Sequence, residues 1–429
     1  MSKHNIKKVD GRMVFDSRGI PTIEAEVYLN NGNIGRAIAP SGASKGKNEA
    51  VEKRDNKKKF LGLSVDKNIV DIKNKINNGF VGQSVLDQNK LDNILLEIDG
   101  TKNKRVLGAN TTTAVSMATI KAAAKFKNKE LWEYLNLSNN ALMLPIPQVQ
   151  IFGGGAHANN QISIQDFLII PNGARNFTEA MEWVFTIFKN THEELKKENL
   201  LKGFADEGGY WPCFNKNEDI LIFLTKIIEK SGFKLLKDVS IALDIAANNF
   251  YNQSLYNLNK KKMITADQLL DTFIKWIKKY PIISIEDPFS EEDILYYQKL
   301  FNKVPKYVQI IGDDLVVTNK KLISEAVNKK TINSVLIKPN QIGTISETLD
   351  ALTLSRDLGL VEVISARSGE TEDVTIADLS IGWQTNQIKV GSFSRSERLA
   401  KWNQCLRIGE QIENNFAMQK NTILKWDKL

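Results

Sequence analysis

The alternation of apolar and polar positions changes its period about a third of the way along the chain. Between Thr22 and Leu29, Ile23, Ala25, Val27 and Leu29 alternate with Glu24, Glu26 and Tyr28. A period of two predicts a strand, and Asn31-Gly32 supplies a turn before a second run, Ile34 to Pro40. Helical patterns follow, including a segment with Asn110 as N-cap, where Ala114, Val115, Met117 and Ala118 open an alanine-rich stretch. Polar residues from Leu135 to Asn140, then Leu144-Pro-Ile-Pro147, predict a boundary near residue 140. The chain thus divides into an N-terminal α+β domain, 1–140, and a second domain, 141–429.

The second domain has a different rhythm. Short β-branched runs each reach a charged residue and give way to an amphipathic stretch. Val239 to Leu243 ends at Asp244, Pro281 to Ile285 at Glu286, Val308 to Gly312 at Asp313 and Ser334 to Ile337 at Lys338, while Val361 to Ile364 leads to Arg367. Thr265 to Tyr280 places Leu269, Leu270, Phe273, Ile274 and Ile277 on one helix face. The charged ends recur at intervals of 42, 27, 25 and 29 residues, which suits the strand-plus-helix units of a parallel β/α barrel. The fold class is therefore α/β, an N-terminal α+β domain followed by a TIM-type barrel. All strand C-terminal ends of such a barrel face one mouth, where three carboxylates and at least two cations would meet.

Composition narrows the field. Apolar residues make up 42% and charged residues 25%, the balance of a folded globular protein. Met1 to Phe15 lacks the apolar core of a signal peptide, and the most apolar run, Ala141 to Phe152, is short and broken by prolines, so no membrane span is expected. Cys213 and Cys405 stand far apart without redox or metal spacing, as expected of reduced thiols in a cytoplasmic protein. The net charge of +8 comes from scattered lysines, such as Lys57 to Lys59 and Lys260 to Lys262, without interleaved aromatics. They read as solvated helix faces rather than a nucleic-acid surface.

Three acidic side chains converging from separate strands suit a hard divalent cation, most simply Mg²⁺, since no His or Cys sits among Asp244, Glu286 and Asp313 to favour zinc. Singly, each acid reads as a helix cap; three on successive strands do not. Lys338 on the next strand end would lie beside that cation, where positive charge lowers its pKa and suits it to act as a general base. Lys389, Arg367 and Ser368 would add a pocket for a phosphate or carboxylate.

The motifs Asp16-Ser-Arg-Gly19, Ser41-Gly-Ala-Ser-Lys-Gly46, Gly108-Ala-Asn110, Ile164-Gln-Asp166, Asp206-Glu-Gly-Gly209, Ile285-Glu-Asp-Pro288, Gly312-Asp-Asp-Leu315, Lys338-Pro-Asn-Gln-Ile-Gly343, Ser368-Gly-Glu-Thr-Glu-Asp373 and Gln387-Ile-Lys-Val-Gly-Ser392 occur in this order. Together they resemble the enolases over nearly the whole length. The resemblance implies reversible dehydration of 2-phosphoglycerate to phosphoenolpyruvate. It implies Lys338 as the base at the carbon next to the carboxylate, Glu207 as the acid that protonates the departing hydroxyl, and Lys389 as charge stabiliser. It further implies two Mg²⁺ per site, one on Asp244, Glu286 and Asp313, the other on the substrate phosphate and Ser41 of a closing loop, with Arg367 and Ser368 on the phosphate. Gln165, Asp166, His157 and Glu286 would complete the substrate site. The partners implied are a small phosphorylated hydroxy acid and further copies of the chain, as a homodimer or an oligomer of dimers.

Three positions depart from the family pattern. Gly154-Gly155-Ala156-His157-Ala158 has alanine where the enolases usually have glutamate, Asp166 replaces a glutamate, and Ala366 replaces the histidine of Ser-His-Arg-Ser-Gly. The chain has only three histidines, His4, His157 and His192, and neither His4 nor His192 replaces the one missing at 366. These changes leave two alternatives beside the glycolytic reaction: an enolase-like lyase for a related anion, such as the phosphonate handled by carboxyphosphonoenolpyruvate synthase, or a non-catalytic protein keeping the fold.

Overall fold

The computed structural model describes residues 2–43, 46–136, 141–258, 263–413 and 415–429. The position near 140, residues 44 and 45 of the Ser41–Gly46 loop, and Lys260 to Lys262 lie outside the described residues.

The N-terminal part is a three-stranded antiparallel sheet of β1 (Ile6–Phe15), β2 (Pro21–Leu29) and β3 (Ile34–Ile38), covered by helices. The hairpin read at Asn31-Gly32 joins β2 and β3. β1 adds a strand that the lysine-rich N-terminus had hidden, because its solvent face carries Lys7, Lys8 and Arg12 while Ile6 and Val9 turn inward. Glu24 and Glu26 are buried rather than outward on a wet face, matched by Arg12 and Arg36. The helix Ala109–Phe126 lies against the sheet, so close at Gly35 that a Cβ there would stand 2.0 Å from the Ala118 carbonyl oxygen. Its N-cap is Gly108, not Asn110; Asn110 sits inside the first turn and pairs both ways with the Lys53 backbone.

The second part is a closed eight-stranded barrel of β4 (Ile146–Gly153), β5 (Asp166–Ile170), β6 (Ser240–Asp244), β7 (Ile282–Glu286), β8 (Gln309–Gly312), β9 (Ser334–Ile337), β10 (Val361–Ser365) and β11 (Gln387–Ser392), with β11 pairing β4. β6 to β10 fall where the β-branched runs place them. The expected helix is Ala266–Lys279, burying Leu269, Leu270, Phe273 and Ile277, with Trp276 added and Ile274 only partly covered. One expectation fails: the barrel is not wholly parallel. β5 runs antiparallel to both β4 and β6. Its first residue, Asp166, is therefore the one at the mouth, in register with Asp244.

The N-terminal part is pinned over that mouth by buried charges. Asp92 accepts from Ser116 Oγ (2.6 Å) and from Ser346 N and Oγ (2.9 and 2.6 Å), and Asp373 accepts from Ile38 N (3.0 Å) and Lys121 (2.9 Å). No described helix is long and apolar enough to cross a membrane.

Candidate active site

The barrel geometry brings the strand-end residues together. His157, Gln165, Asp166, Glu207, Asp244, Lys338, Arg367, Ser368 and Lys389 line one cleft with Ala43 and Ala366. Glu286 and Asp313 adjoin it through the lysines: Lys389 Nζ donates to Asp244 Oδ2 (2.7 Å) and Glu286 Oε2 (2.8 Å), and Lys338 Nζ to Asp313 Oδ2 (2.6 Å).

Burial sets the electrostatics. Glu286 is pushed well above the usual carboxylate range by burial and by Asp244. Its Oε1 is buried without a hydrogen-bond donor, a state that costs free energy unless a cation satisfies it. Burial opposes the charge on Lys389, but Asp244 and Glu286 outweigh it and hold its pKa well above normal. Lys338 is raised in the same way, burial being overcome by Asp313. The lysine expected to have a lowered pKa thus has the opposite shift while its partner is Asp313.

Among the described residues, the groups that bring three ligand atoms close together are Asp287 with Asp313 and Asp314, and His157 with Asp166 and Glu207; Asp244 and Glu286 are instead held by Lys389, and Asp313 by Lys338. In each of these groups one member is already committed. Asp287 closes its loop, accepting from Asp313 N (3.1 Å), Asp314 N (2.6 Å) and Tyr297 (3.2 Å). His157 is itself a cation: burial favours its neutral form, but Asp166 and Glu207 raise its pKa to about 9. The all-oxygen set Asp244, Glu286 and Asp313, with the orphaned Glu286 Oε1, fits a hard divalent ion.

The opposite wall is built around that imidazole. His157 Nδ1 is 3.0 Å from Asp166 Oδ1, and Nε2 is 3.7 Å from Glu207 Oε1. Gln150 Nε2 donates to the same Asp166 oxygen. Burial would raise the Glu207 pKa, but His157, Arg398 and Lys389 bring it below normal, so Glu207 is ionised beside a protonated histidine. Gln165 Nε2 donates to Asp244 Oδ2 (3.2 Å).

Arg367 and Ser368 line a further part of the cleft. Arg367 Nη2 meets both Glu49 oxygens (3.1 and 3.2 Å), and Nη1 meets Asn340 Oδ1 (3.0 Å). Ser368 Oγ accepts from Ala43 N (2.8 Å). Ser41 is not among the residues lining the cleft: its hydroxyl accepts from Arg18 Nη2 (2.6 Å) and reaches Asp16 Oδ2 (3.2 Å). Arg18 is placed by the β1–β2 turn, where Asp16 Oδ1 accepts from Arg18 N and Ile20 N, both at 2.9 Å. Gln341 was not singled out from sequence. Its Nε2 donates to Asp313 Oδ1 (2.8 Å) and fixes that carboxylate, and only its place three residues after Lys338, across one helical turn, hints at the role.

A family model described as the enolase N-terminal domain matches residues 6–135, and one described as the enolase C-terminal TIM barrel domain matches residues 141–425. The chain is 47% identical over 421 residues to an enolase of Pelagibacter ubique (strain HTCC1062), covering 98% of this chain and 100% of that protein. Two models matched in order, near-complete coverage of a full-length relative, and a barrel mouth carrying acids, two lysines and an arginine all lead to one assignment: the chain belongs to the enolase family.

Proposed function

We propose that the protein catalyses the reversible dehydration of 2-phosphoglycerate to phosphoenolpyruvate, the glycolytic reaction, as a divalent-metal lyase. The observation that carries this reading is the opposition of a lysine and an acid–imidazole pair across one cleft. Lys338 follows β9 and Asp166 begins β5, four strands apart in a ring of eight. A base and a proton donor on opposite sides suit removal of a proton from one carbon and a hydroxyl from its neighbour.

Lys338 takes the proton next to the carboxylate. Asp244, Glu286 and Asp313 would hold the cation, whose oxygen-only ligand set favours Mg²⁺; bound there, it supplies charge neutralisation for the developing dianion. Lys389 adds a fixed positive charge in a buried site, where it acts strongly. Glu207 delivers the proton to the leaving hydroxyl. Because it is ionised in the ligand-free state, that proton comes by way of His157, which Asp166 orients. Arg367 and Ser368 bind the phosphate, with Glu49 giving up Arg367 as it enters.

A second Mg²⁺ would sit against the substrate phosphate. Ser41 serves it only by leaving Arg18 and Asp16; Ser44 is the other hydroxyl of that loop. We further assign the chain to a homodimer or an oligomer of dimers, supported by the grouped exposed side chains of Phe15, Phe60 and Leu61. Free cysteines support a cytoplasmic setting, and the division between the two domains is placed near residue 140. The deciding experiment is phosphoenolpyruvate formation from 2-phosphoglycerate with Mg²⁺, beside a phosphonate analogue. Turnover no better than a Lys338→Ala control would refute the assignment.

A further inference from the structure

Two cations of the helix Ser396–Gly409 have no part in the scheme above. Arg398 and Lys401 are both 0% exposed, a placement charged side chains rarely adopt unless their donors are engaged. Three residues apart, they share a helix face, and that face meets the back of the segment carrying Arg367 and Ser368. Arg398 donates through Nη1 to Arg367 O (2.7 Å) and Val390 O (3.3 Å), and through Nη2 to Ser368 O (2.5 Å). Lys401 donates to Thr371 O (2.6 Å) and pairs with Glu370 (3.0 Å), which accepts the Arg367 backbone N–H (3.0 Å). The carbonyls of residues 367, 368 and 371 thus end on buried cations. On the other side, Ser41 and Gly369 exchange backbone hydrogen bonds of 2.8 Å each way.

Arg398 also faces Glu207, with Nη1 4.0 Å from Oε1. The two are kept close by Gly391, whose φ is +96°; a Cβ there would stand 2.8 Å from Arg398 Cδ and 3.0 Å from the Glu207 carbonyl oxygen.

We infer that Arg398 and Lys401 are positioning residues that hold the Arg367–Ser368 backbone as a preformed cradle for a phosphoryl group, and that Arg398 keeps this cradle in register with Glu207. A cradle fixed before binding spends no ordering entropy when the anion arrives. The inference rests on Arg367 and Ser368 being the phosphate site, and extends that reading to the residues behind them.

The test uses Lys401→Met, Arg398→Lys and the milder Glu370→Gln in the full chain, each checked by circular dichroism and thermal melting. Orthophosphate affinity is measured by calorimetry with Mg²⁺ present, and KM and kcat with 2-phosphoglycerate. Lys401→Met is expected to raise both the orthophosphate Kd and KM about tenfold with kcat within about threefold, because it supports only the cradle. Arg398→Lys is expected to raise both and also lower kcat about tenfold or more. Glu370→Gln should move Kd and KM in the same direction by a smaller factor, and Lys401→Arg should recover most of the loss. Folded variants with a lowered melting temperature but unchanged Kd and KM would show a merely structural role and overturn the inference. Orthophosphate binding does not need turnover. A wild type that binds phosphate but fails to convert 2-phosphoglycerate would sink the reaction alone, while normal turnover with unchanged phosphate affinity in every variant would sink this inference alone.

Discussion

Lys338 Nζ stands 2.6 Å from Asp313 Oδ2, joining the ends of two neighbouring barrel strands. The pair ties the proposed base to an acid proposed as a metal ligand, and it raises the lysine's pKa although burial opposes the charge. A general base has to be neutral when it acts, so the pair has to be exchanged before turnover. With a cation held by Asp313, Lys338 would lose its counter-charge and gain a positive neighbour, both of which favour the neutral amine.

Chelation should therefore abolish turnover and Mg²⁺ restore it, the basic form of Lys338 emerging in the pH profile of kcat as Mg²⁺ saturates. Lys338→Ala is expected to lower kcat by about 10³-fold or more while orthophosphate affinity stays within about twofold. A variant retaining a tenth of wild-type kcat would remove Lys338 from the role of base.

Glu286 illustrates the cost of the site to the fold. It is raised well above its ordinary pKa by burial and by Asp244, and Oε1 has no donor. Glu286→Gln replaces a buried carboxyl that its surroundings resist ionising with a neutral amide at nearly constant volume, so the metal-free protein should melt at the same temperature or higher. Mg²⁺ affinity should fall at least about tenfold. Calorimetry and thermal melts in chelator separate the two effects. Unchanged affinity would exclude Glu286 as a ligand.

His157 offers a direct electrostatic measurement. Burial alone would lower its pKa, but Asp166 and Glu207 on its two nitrogens raise it to about 9. In metal-free protein, one imidazole resonance should titrate near pH 9 and vanish in His157→Gln. The folded pKa lies above the unfolded value, so the stabilisation is complete below about pH 6.5 and disappears as pH rises through about 9. His157→Gln should accordingly destabilise at pH 6 and have little effect at pH 10. An equal loss at both pH values would rule out the charge as the cause.

Much of the site was legible because a barrel converts sequence spacing into spatial convergence. Asp244, Glu286, Asp313 and Lys338 each end a β-branched run, and that pattern alone puts them at one mouth. The direction of β5 was not legible: Asp166 to Ile170 is a fully buried strand, and an apolar run reads the same whichever way it threads. The N-terminal strand was obscured by its lysines. Arg398 and Lys401 were hidden for a related reason, since a cation within a helix ordinarily marks a solvent face. Ser41 shows the limit of motif matching, because a motif identifies a hydroxyl without saying which neighbours already hold it.

Asp378 allows the balance between burial and charge to be tested away from the chemistry. It lies on the helix Thr375–Gly382, is 5% exposed, accepts one hydrogen bond from Gln404 Nε2 (3.0 Å), and is not among the residues lining the catalytic cleft. Burial raises its pKa to about 7, more than Gln404 and Lys121 bring it down. A carboxyl with a folded pKa above its unfolded value binds its proton more tightly when folded. No penalty exists below the unfolded pKa near 4; it grows between pH 4 and pH 7 and is complete above that. Asp378→Asn removes the ionisable group while its side-chain oxygen can still accept from Gln404. The variant should match wild type at pH 4 and be more stable at pH 8 by up to roughly 3–4 kcal/mol. Turnover should be unchanged at both. Chemical denaturation of the two proteins across this range checks the prediction, and a stability difference that does not vary with pH would show that the Asp378 carboxyl is not held protonated by its surroundings.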